Sequence, residues 1–585
     1  MKQFSLLAVL ICIMIQTPLA FAQSDCWGFM IGNTGLDKTD AMTVDADGNV
    51  WIAGGFVGTV DFDPDTGSSP LSSINYQDAF LASYTRDGHF RFAIPLSVSG
   101  INDMASDSSG NIYMTGFHTG SVDADPGPGV DLLPAFGGTD ICVLSFANDG
   151  TYRWGKGYGS AGTDEGRSLS VDLSGHVLVC GSYFFSTDFM TVDSSRTLSS
   201  AGGSDVFVGK FAGHGDLLWV NGYGGSGFEE NSLVLAGTEP FEAWLAMAYE
   251  GTINLPAQGG DIVLSSQGEA DIAIARIDSS TEIQAAWSIG GSGRDIPSSL
   301  IKEKNWLIAA GTFRASIDVD PGPGTRILQS KGESDAFVSS YLSDGSLNWG
   351  VRIGGLNFDD APALAVPRFG GTGEDKYLAG FGHFTDSSIV ETGNSSPPTQ
   401  LISNGFIDSY LASFELATGN LLDVKQLGGS EANVSAAISS YTDSSTSRVI
   451  LSGRSSGSIH LPLFSAAGLC GNAIPYVSKG IFDFYVSSLP SLQDSSTSIL
   501  SRPQQLPLHL FPNPATEVLM LEFPTGSAIG SNISVYDIQG NLVQEAVVQR
   551  ARRQAVSVSS LPKGLFVLQV LGKDGRLYMG RFVKD

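Results

Sequence analysis

The chain has 585 residues, too many for one ordinary core, so it holds several domains or one repeat array. Gly accounts for 72 positions, charged residues for only 16%, and hydrophobic residues for 42%, which excludes a disordered or coiled-coil chain. A net charge of −28 repels phosphate backbones and anionic lipid, so nucleic-acid binding and adsorption to a lipid surface are excluded as general modes.

Residues 1–22 have the form of a secretory signal. Lys2 supplies the positive end, Phe4 to Ile15 the apolar run, and Ala20-Phe21-Ala22 the small-x-small cleavage site before Gln23. The run is too short to span a bilayer, and no later segment is long and apolar enough to do so. An exported, soluble chain is expected. Cys26, Cys142, Cys180 and Cys470 are too few for a disulfide scaffold. Cys142 and Cys180 lie in apolar strand patterns and are expected to be buried, while a Cys26–Cys470 link is left open.

From residue 26 to 489 the text repeats. An Asp that opens an apolar strand recurs at Asp78, Asp140, Asp205, Asp271, Asp335, Asp408 and Asp483. A Gly-rich element follows the next strand, as in Tyr158-Gly159-Ser160-Ala161-Gly162, Tyr223-Gly224-Gly225-Ser226-Gly227 and Ile289-Gly290-Gly291-Ser292-Gly293. The second copy, Val98-Ser99-Gly100, is degenerate. Between these elements lie hairpins such as Asp45-Ala46-Asp47-Gly48-Asn49, whose Gly–Asn pair suits a turn with positive φ.

Each period thus predicts four short strands, a to d, and seven such units form a β-propeller. The chain enters on a d-type strand near 26–31 and leaves the array on a c-type strand at Asp483-Phe484-Tyr485-Val486. The closing blade is therefore expected to combine 434–489 with 26–31, so that neither edge is left unpaired. The propeller is assigned to 23–490. Phe92, Trp154, Trp219, Trp287 and Trp349, one per d strand, are expected to wedge between blades. The repeats resemble the SBBP-type propeller repeats of secreted bacterial proteins.

A Ser/Gln/Pro-rich linker, 491–507, precedes a change of pattern. Phe511-Pro512-Asn513-Pro514, then Ile533 to Gly540, Leu561 to Val570 with Gly564, and Gly580-Arg581-Phe582-Val583-Lys584 describe a small immunoglobulin-like β-sandwich over 508–585. This motif set resembles the type A C-terminal sorting domain of the type IX secretion system, with Phe where Tyr is commoner at the opening. The resemblance implies Phe511, Pro512, Asn513, Pro514, Gly540, Gly564, Phe582 and Lys584 as the sorting motif. It implies the type IX translocon and sorting machinery as partners, passage across the outer membrane, and release or attachment to surface lipopolysaccharide.

Two sets of carboxylates are candidates for chemistry. One follows each Gly-rich element: Asp37, Asp103, Asp164, Glu229, Asp295, Asp359 and Glu431. These could ring the channel mouth as a cation site, or serve as turn carboxylates accepting backbone N–H bonds, and the second account is favoured. The other set lies in Asp-x-Asp-Pro loops: Asp61, Asp63 and Asp65, Asp123 and Asp125, Asp318 and Asp320. Alternating Asp before a Gly turn offers oxygens to Ca²⁺, but no Glu closes the loop.

Enzyme signals are weak. The seven His form no His-x-x-x-His pair, and Gly453-Arg454-Ser455-Ser456-Gly457 follows a strand but opens no helix, so it lacks the context of a nucleophile elbow. The expected function is a non-catalytic surface or extracellular module binding a glycan, a protein or matrix. The rivals are an extracellular carbohydrate-active or hydrolytic enzyme and a structural surface component. The variable b–c segments 384–406 and 458–482 are where a ligand is expected.

Overall fold

The computed structural model describes residues 27–584 apart from short internal gaps, the longest of which are 368–376, 392–398, 462–473, 491–505 and 523–531. The signal segment, Cys26, Cys470, Pro512, Asn513 and Gly540 lie outside the described residues. Two compact units divide between Leu492 and Gln493. No helix occurs among the described residues.

The first unit is a propeller. Its first four-stranded antiparallel sheet runs Lys38–Val44, Val50–Phe56, Asp78–Tyr84, Phe90–Leu96, in the order a-b-c-d. The same order recurs over 100–158, 165–225, 229–291, 296–355 and 363–427. The last sheet takes Asn433–Thr442, Ser447–Ser455 and Asp483–Pro490, and its fourth strand is Trp27–Ile31 from the other end of the chain. Trp27 pairs opposite Ser488 and Ile31 opposite Phe484. Innermost a strands touch their sequence neighbours around an axis, and Lys38–Val44 also touches Asn433–Thr442.

Burial explains the sequence pattern. The b and c strands are covered on both faces by neighbouring sheets, so Val50–Phe56, Asp140–Phe146, Val177–Tyr183 and Ala243–Tyr249 are buried at every residue and read as continuous runs of apolar and small residues. Cys142 and Cys180 fall in these strands as free, buried thiols, and burial pushes both up to about 12. The a and d strands are half buried and alternate.

The a–b turns refine the expectation for Gly–Asn. Gly48, Gly110 and Gly175 take positive φ, but the following residue does not. Instead Asn49 donates from its side chain to Asp45 at 2.9 Å and from its backbone at 2.9 Å, and Asn111 repeats this on Asp107.

The d-strand aromatics sit against the next sheet's c–d turn. A Cβ at Gly215 would fall 2.7 Å from Trp154, at Gly345 2.9 Å from Trp287, and at Gly419 2.6 Å from Trp349, so glycine at these positive-φ positions lets an indole lie flat on backbone. Trp27 does the same over Gly88 and donates Nε1–H to Arg86 O at 2.8 Å, tying the N-terminal strand to the first sheet.

The second unit has two sheets. One orders Leu506–Pro507, Leu577–Lys584, Gly564–Leu571, Asn532–Asp537 and Leu542–Val547, and the other His509–Phe511, Val518–Glu522 and Arg553–Ser557. Leu519, Leu521, Ile533, Val535, Phe566, Leu568 and Phe582 fill the space between them. Leu506–Pro507 pairs in parallel with Tyr578–Met579, so the sandwich begins inside the segment read as linker: an extended dipeptide satisfies an otherwise open edge.

Candidate functional site

The Gly-rich elements have one mechanical cause. In every sheet but the first, the c-strand Asp lies directly beneath the first Gly of the following element. A Cβ would fall 2.4 Å from Asp483 at Gly32, 2.0 Å from Asp140 at Gly159, 2.1 Å from Asp271 at Gly290 and 2.2 Å from Asp335 at Gly354. The second Gly is pressed against backbone, since a Cβ at Gly225 would meet Thr252 O at 2.1 Å and one at Gly291 would meet Ser316 O at 1.9 Å.

The carboxylate five residues past that first Gly folds back onto the element. Asp37 accepts from Asn33 N at 2.8 Å and Val57 N at 3.1 Å. Asp164 accepts from Ser160 N and Phe184 N, Glu229 from Gly225 N, and Asp359 from Gly355 N, at 2.6–2.9 Å. Their own amides donate back to the previous sheet: Asp37 N to Phe482 O, Asp164 N to Thr139 O, Asp295 N to Ala270 O and Asp359 N to Ser334 O. Each junction is thus stapled by backbone bonds around two buried carboxylates, one from each sheet.

Two members of the proposed acidic ring are misplaced by the sequence reading. Asp103 lies inside the a strand and accepts from Ser168 Oγ and Leu169 N of the next sheet, both at 2.9 Å. Ser99 occupies the position expected for it, accepting from Thr119 N at 3.0 Å just as Asp37 accepts from Val57 N. Glu431 is exposed, and the equivalent position belongs to buried Asn433, which donates to Asp408 at 3.4 Å. Counting residues past a Gly-rich loop misses by four at Asp103 and by two at Glu431, and only strand register reveals it.

Burial raises the affinity of these groups for protons. Burial lifts Asp295 to about 8, with repulsion from Asp271 adding to it, and lifts Glu229 and Asp359 each to about 7. Asp205 and Asp271 rise to about 6, again through burial. Asp103 is lifted to about 6 by its burial, and burial also raises Asp37 and Asp164. Carboxyls tuned near neutrality often mark catalysis. Here Asp37, Asp164, Glu229, Asp295 and Asp359 are at most 1% exposed, and a geometry repeated at five junctions serves the packing of one sheet on the next.

The Asp-x-Asp-Pro loops also close on themselves. Asp61 accepts from Ser69 N at 2.7 Å and Asp63 from Asp65 N at 2.9 Å. Asp123 accepts from Asp131 N at 2.9 Å and Asp125 from Gly127 N at 2.7 Å, while Asp318 accepts from Arg326 N at 2.8 Å and Asp320 from Gly322 N at 2.9 Å. Each loop ties off a hairpin that extends the b–c connection. Among the described residues, no three His, Cys, Asp or Glu side chains converge as a metal site would require. Ser455 of the Gly-x-Ser-x-Gly text ends a b strand and donates to Asn433 at 2.8 Å, so it is not presented as a nucleophile.

What the loop-bearing end does present is apolar. Ile74, Phe136, Phe185 and Phe406 on b–c segments, and Phe228 and Phe358 on d–a loops, are exposed, with Ile74 at 93% and Phe406 at 66%. The long b–c segment of the sixth sheet is described at 384–391 and 399–406, where it continues two paired strands, and that of the seventh at 458–461 and 474–477, a short hairpin.

In the second unit, Phe566 and Phe582 stack at 5.5 Å in the core, Phe511 lies under the Arg553 guanidinium at 5.7 Å, and Ala515 N donates to Val583 O at 2.8 Å. The opening motif, where described, is therefore bound to the last strand. Residues 509–584 match the family of the secretion system C-terminal sorting domain. This segment is the sorting domain of a type IX secretion cargo. Its presence marks the chain for export across the outer membrane, to the cell surface or the extracellular space.

Comparison of the whole chain is less specific. The regulatory protein FlaEY of Caulobacter vibrioides is 32% identical over 108 residues, covering 18% of this chain, and the chain spans 11% of that relative's length. Among solved structures, the Dos1 propeller covers 79% of this chain and 95% of its own at 8% identity, with a TM-score of 0.36. A quinohemoprotein alcohol dehydrogenase from Comamonas testosteroni covers 83% and 79% at 9% identity, also at 0.36. The propeller assignment accordingly rests on strand pairing.

Proposed function

We propose that the chain is a type IX cargo whose body is one seven-bladed propeller of the SBBP type, acting outside the cell as a non-catalytic binding module for glycan. The observation that carries this is the division of labour at the loop-bearing end. Its buried carboxylates Asp37, Asp164, Glu229 and Asp359 are bound to backbone amides, whereas Phe185, Phe228, Phe358 and Phe406 stand in solvent. Exposed aromatic faces favour binding, because the apolar C–H face of a sugar or a side chain packs on a ring without chemistry.

The sandwich would deliver this propeller to the surface, with the released or lipopolysaccharide-attached fate that the sorting family implies. The test is retention of the purified exported chain on a glycan array, with parallel assay of released sugar. Retention without product is expected. Product release would replace the binding reading with the hydrolytic one, and the absence of both retention and product would refute the glycan-binding reading.

A further inference from the structure

The junction between the first two sheets departs from its sisters. Ser99 replaces the junction carboxylate, and the Gly-rich element shrinks to Val98-Ser99-Gly100. This junction holds a recess of about 340 Å³ between the innermost strands Lys38–Val44 and Gly100–Ser106. Its walls include Lys38, Asp40, Gln77, Asn102 and Phe117, over a floor containing Gly54, Gly55 and Gly100. The glycines matter here, since a Cβ on Gly55 would lie 2.1 Å from Gln77 Nε2 and one on Gly100 2.8 Å from Phe117.

The chemistry of the walls is balanced. Lys38 Nζ lies 2.9 Å from Asp40 Oδ2, with 29% of each side chain exposed, so a donor and an acceptor stand side by side with no net charge. Asn102 is oriented by its bond to Gly166 O at 2.7 Å, and the Phe117 ring is partly exposed. Adjacent hydroxyls on a ring match this set, one accepting from the ammonium and its neighbour donating to the carboxylate, while the ring's C–H face covers Phe117. A phosphate or other strong anion would meet Asp40 and is disfavoured. The volume lies near the lower end of the roughly 300–1,000 Å³ seen for small-ligand sites, which suits one sugar unit.

We propose that this recess is the primary subsite of the module and takes a single neutral sugar residue of a glycan. The assignment rests on the binding reading above, but its test separates the two. The full exported chain is probed by saturation-transfer NMR and calorimetry with the methyl glycosides of glucose, galactose, mannose and N-acetylglucosamine. At least one is expected to bind with a Kd of about 1 mM, and Lys38→Gln combined with Asp40→Asn to weaken it about tenfold or more, as loss of charged hydrogen bonds does.

The melting temperature is the control for folding, and Gln77→Ala is the second variant, used if the charge pair proves necessary for the fold. Absence of transfer to all four glycosides, or transfer undiminished in both variants, overturns the assignment. Retention on the glycan array that survives both substitutions removes this recess while leaving the binding reading intact.

Discussion

Asp295→Asn is expected to stabilise the propeller, and to do so in a pH-dependent way. Asp295 is fully buried beside Asp271, and neither of its oxygens has a hydrogen-bond partner; the amides of Gly291 and Arg314 approach it without reaching bonding geometry. With a folded pKa of about 8 against 3.8 for the free side chain, the folded chain holds a proton that the unfolded chain has released. Stability from this group is complete below the unfolded value and is lost as pH rises towards 8.

At 1.36 kcal/mol per pH unit, the loss at pH 7 is at most about 4 kcal/mol, and rearrangement around the ionised pair brings it nearer 1–3 kcal/mol. An amide at 295 cannot ionise and donates to the open Asp271 oxygen, as Asn433 does to Asp408 in the natural seventh junction. Thermal melting of wild type and variant at half-unit steps from pH 4 to 9 is the assay. The curves should coincide near pH 4 and diverge to a gain of about 1–3 °C at pH 8, since a unit of this length shifts about 1 °C per kcal/mol. A variant that melts lower than wild type at pH 8, or a difference that does not change with pH, would refute the account of the junction.

Four further outcomes follow from the same geometry. Gly159→Ala forces a Cβ to 2.0 Å from Asp140 and should cost about 1–3 kcal/mol by overpacking, read as a lower melting temperature. Trp154→Ala removes an 8% exposed indole from the face of Gly215 and should cost about 3–5 kcal/mol in the same assay. Removing Trp27–Ile31 leaves Asp483–Pro490 as an open edge and should give oligomers or aggregate on size-exclusion chromatography, where a monodisperse monomer would contradict closure by that strand. Deleting 508–585 should leave the chain in the periplasm, seen by fractionation; normal appearance in the medium would sink the sorting role.

Much of the fold was legible because a propeller repeats its local rules. The Asp that opens each c strand, the positive-φ Gly of turns such as those at Gly48, Gly110 and Gly175, and the d-strand aromatic recur along the array, so strand order within a sheet and the propeller class could be read from the text. The reason for the doubled Gly could not. It is glycine because an Asp from the preceding sheet, some 19 residues away in sequence at Gly159 and Asp140, lies beneath it. The acidic set shows the same limit: Asp37, Asp164, Glu229, Asp295 and Asp359 share one junction position, while Asp103 and Glu431 do not, because loop length changed and the register did not.

The candidate subsite was invisible for a related reason. The degenerate second copy was noticed, but a missing Gly–Gly and a Ser in place of Asp say only that something differs. That Lys38, Gln77 and Phe117, three residues from different strands and loops, face one recess is a product of closure around the axis. Sequence by itself determined the class, the repeat and the export domain, because those depend on period, turn chemistry and short contiguous motifs. Tertiary structure alone decided which carboxylates share a junction and what lines the recess beside Lys38, because burial and proton affinity depend on neighbours that folding brings together from separate strands and sheets.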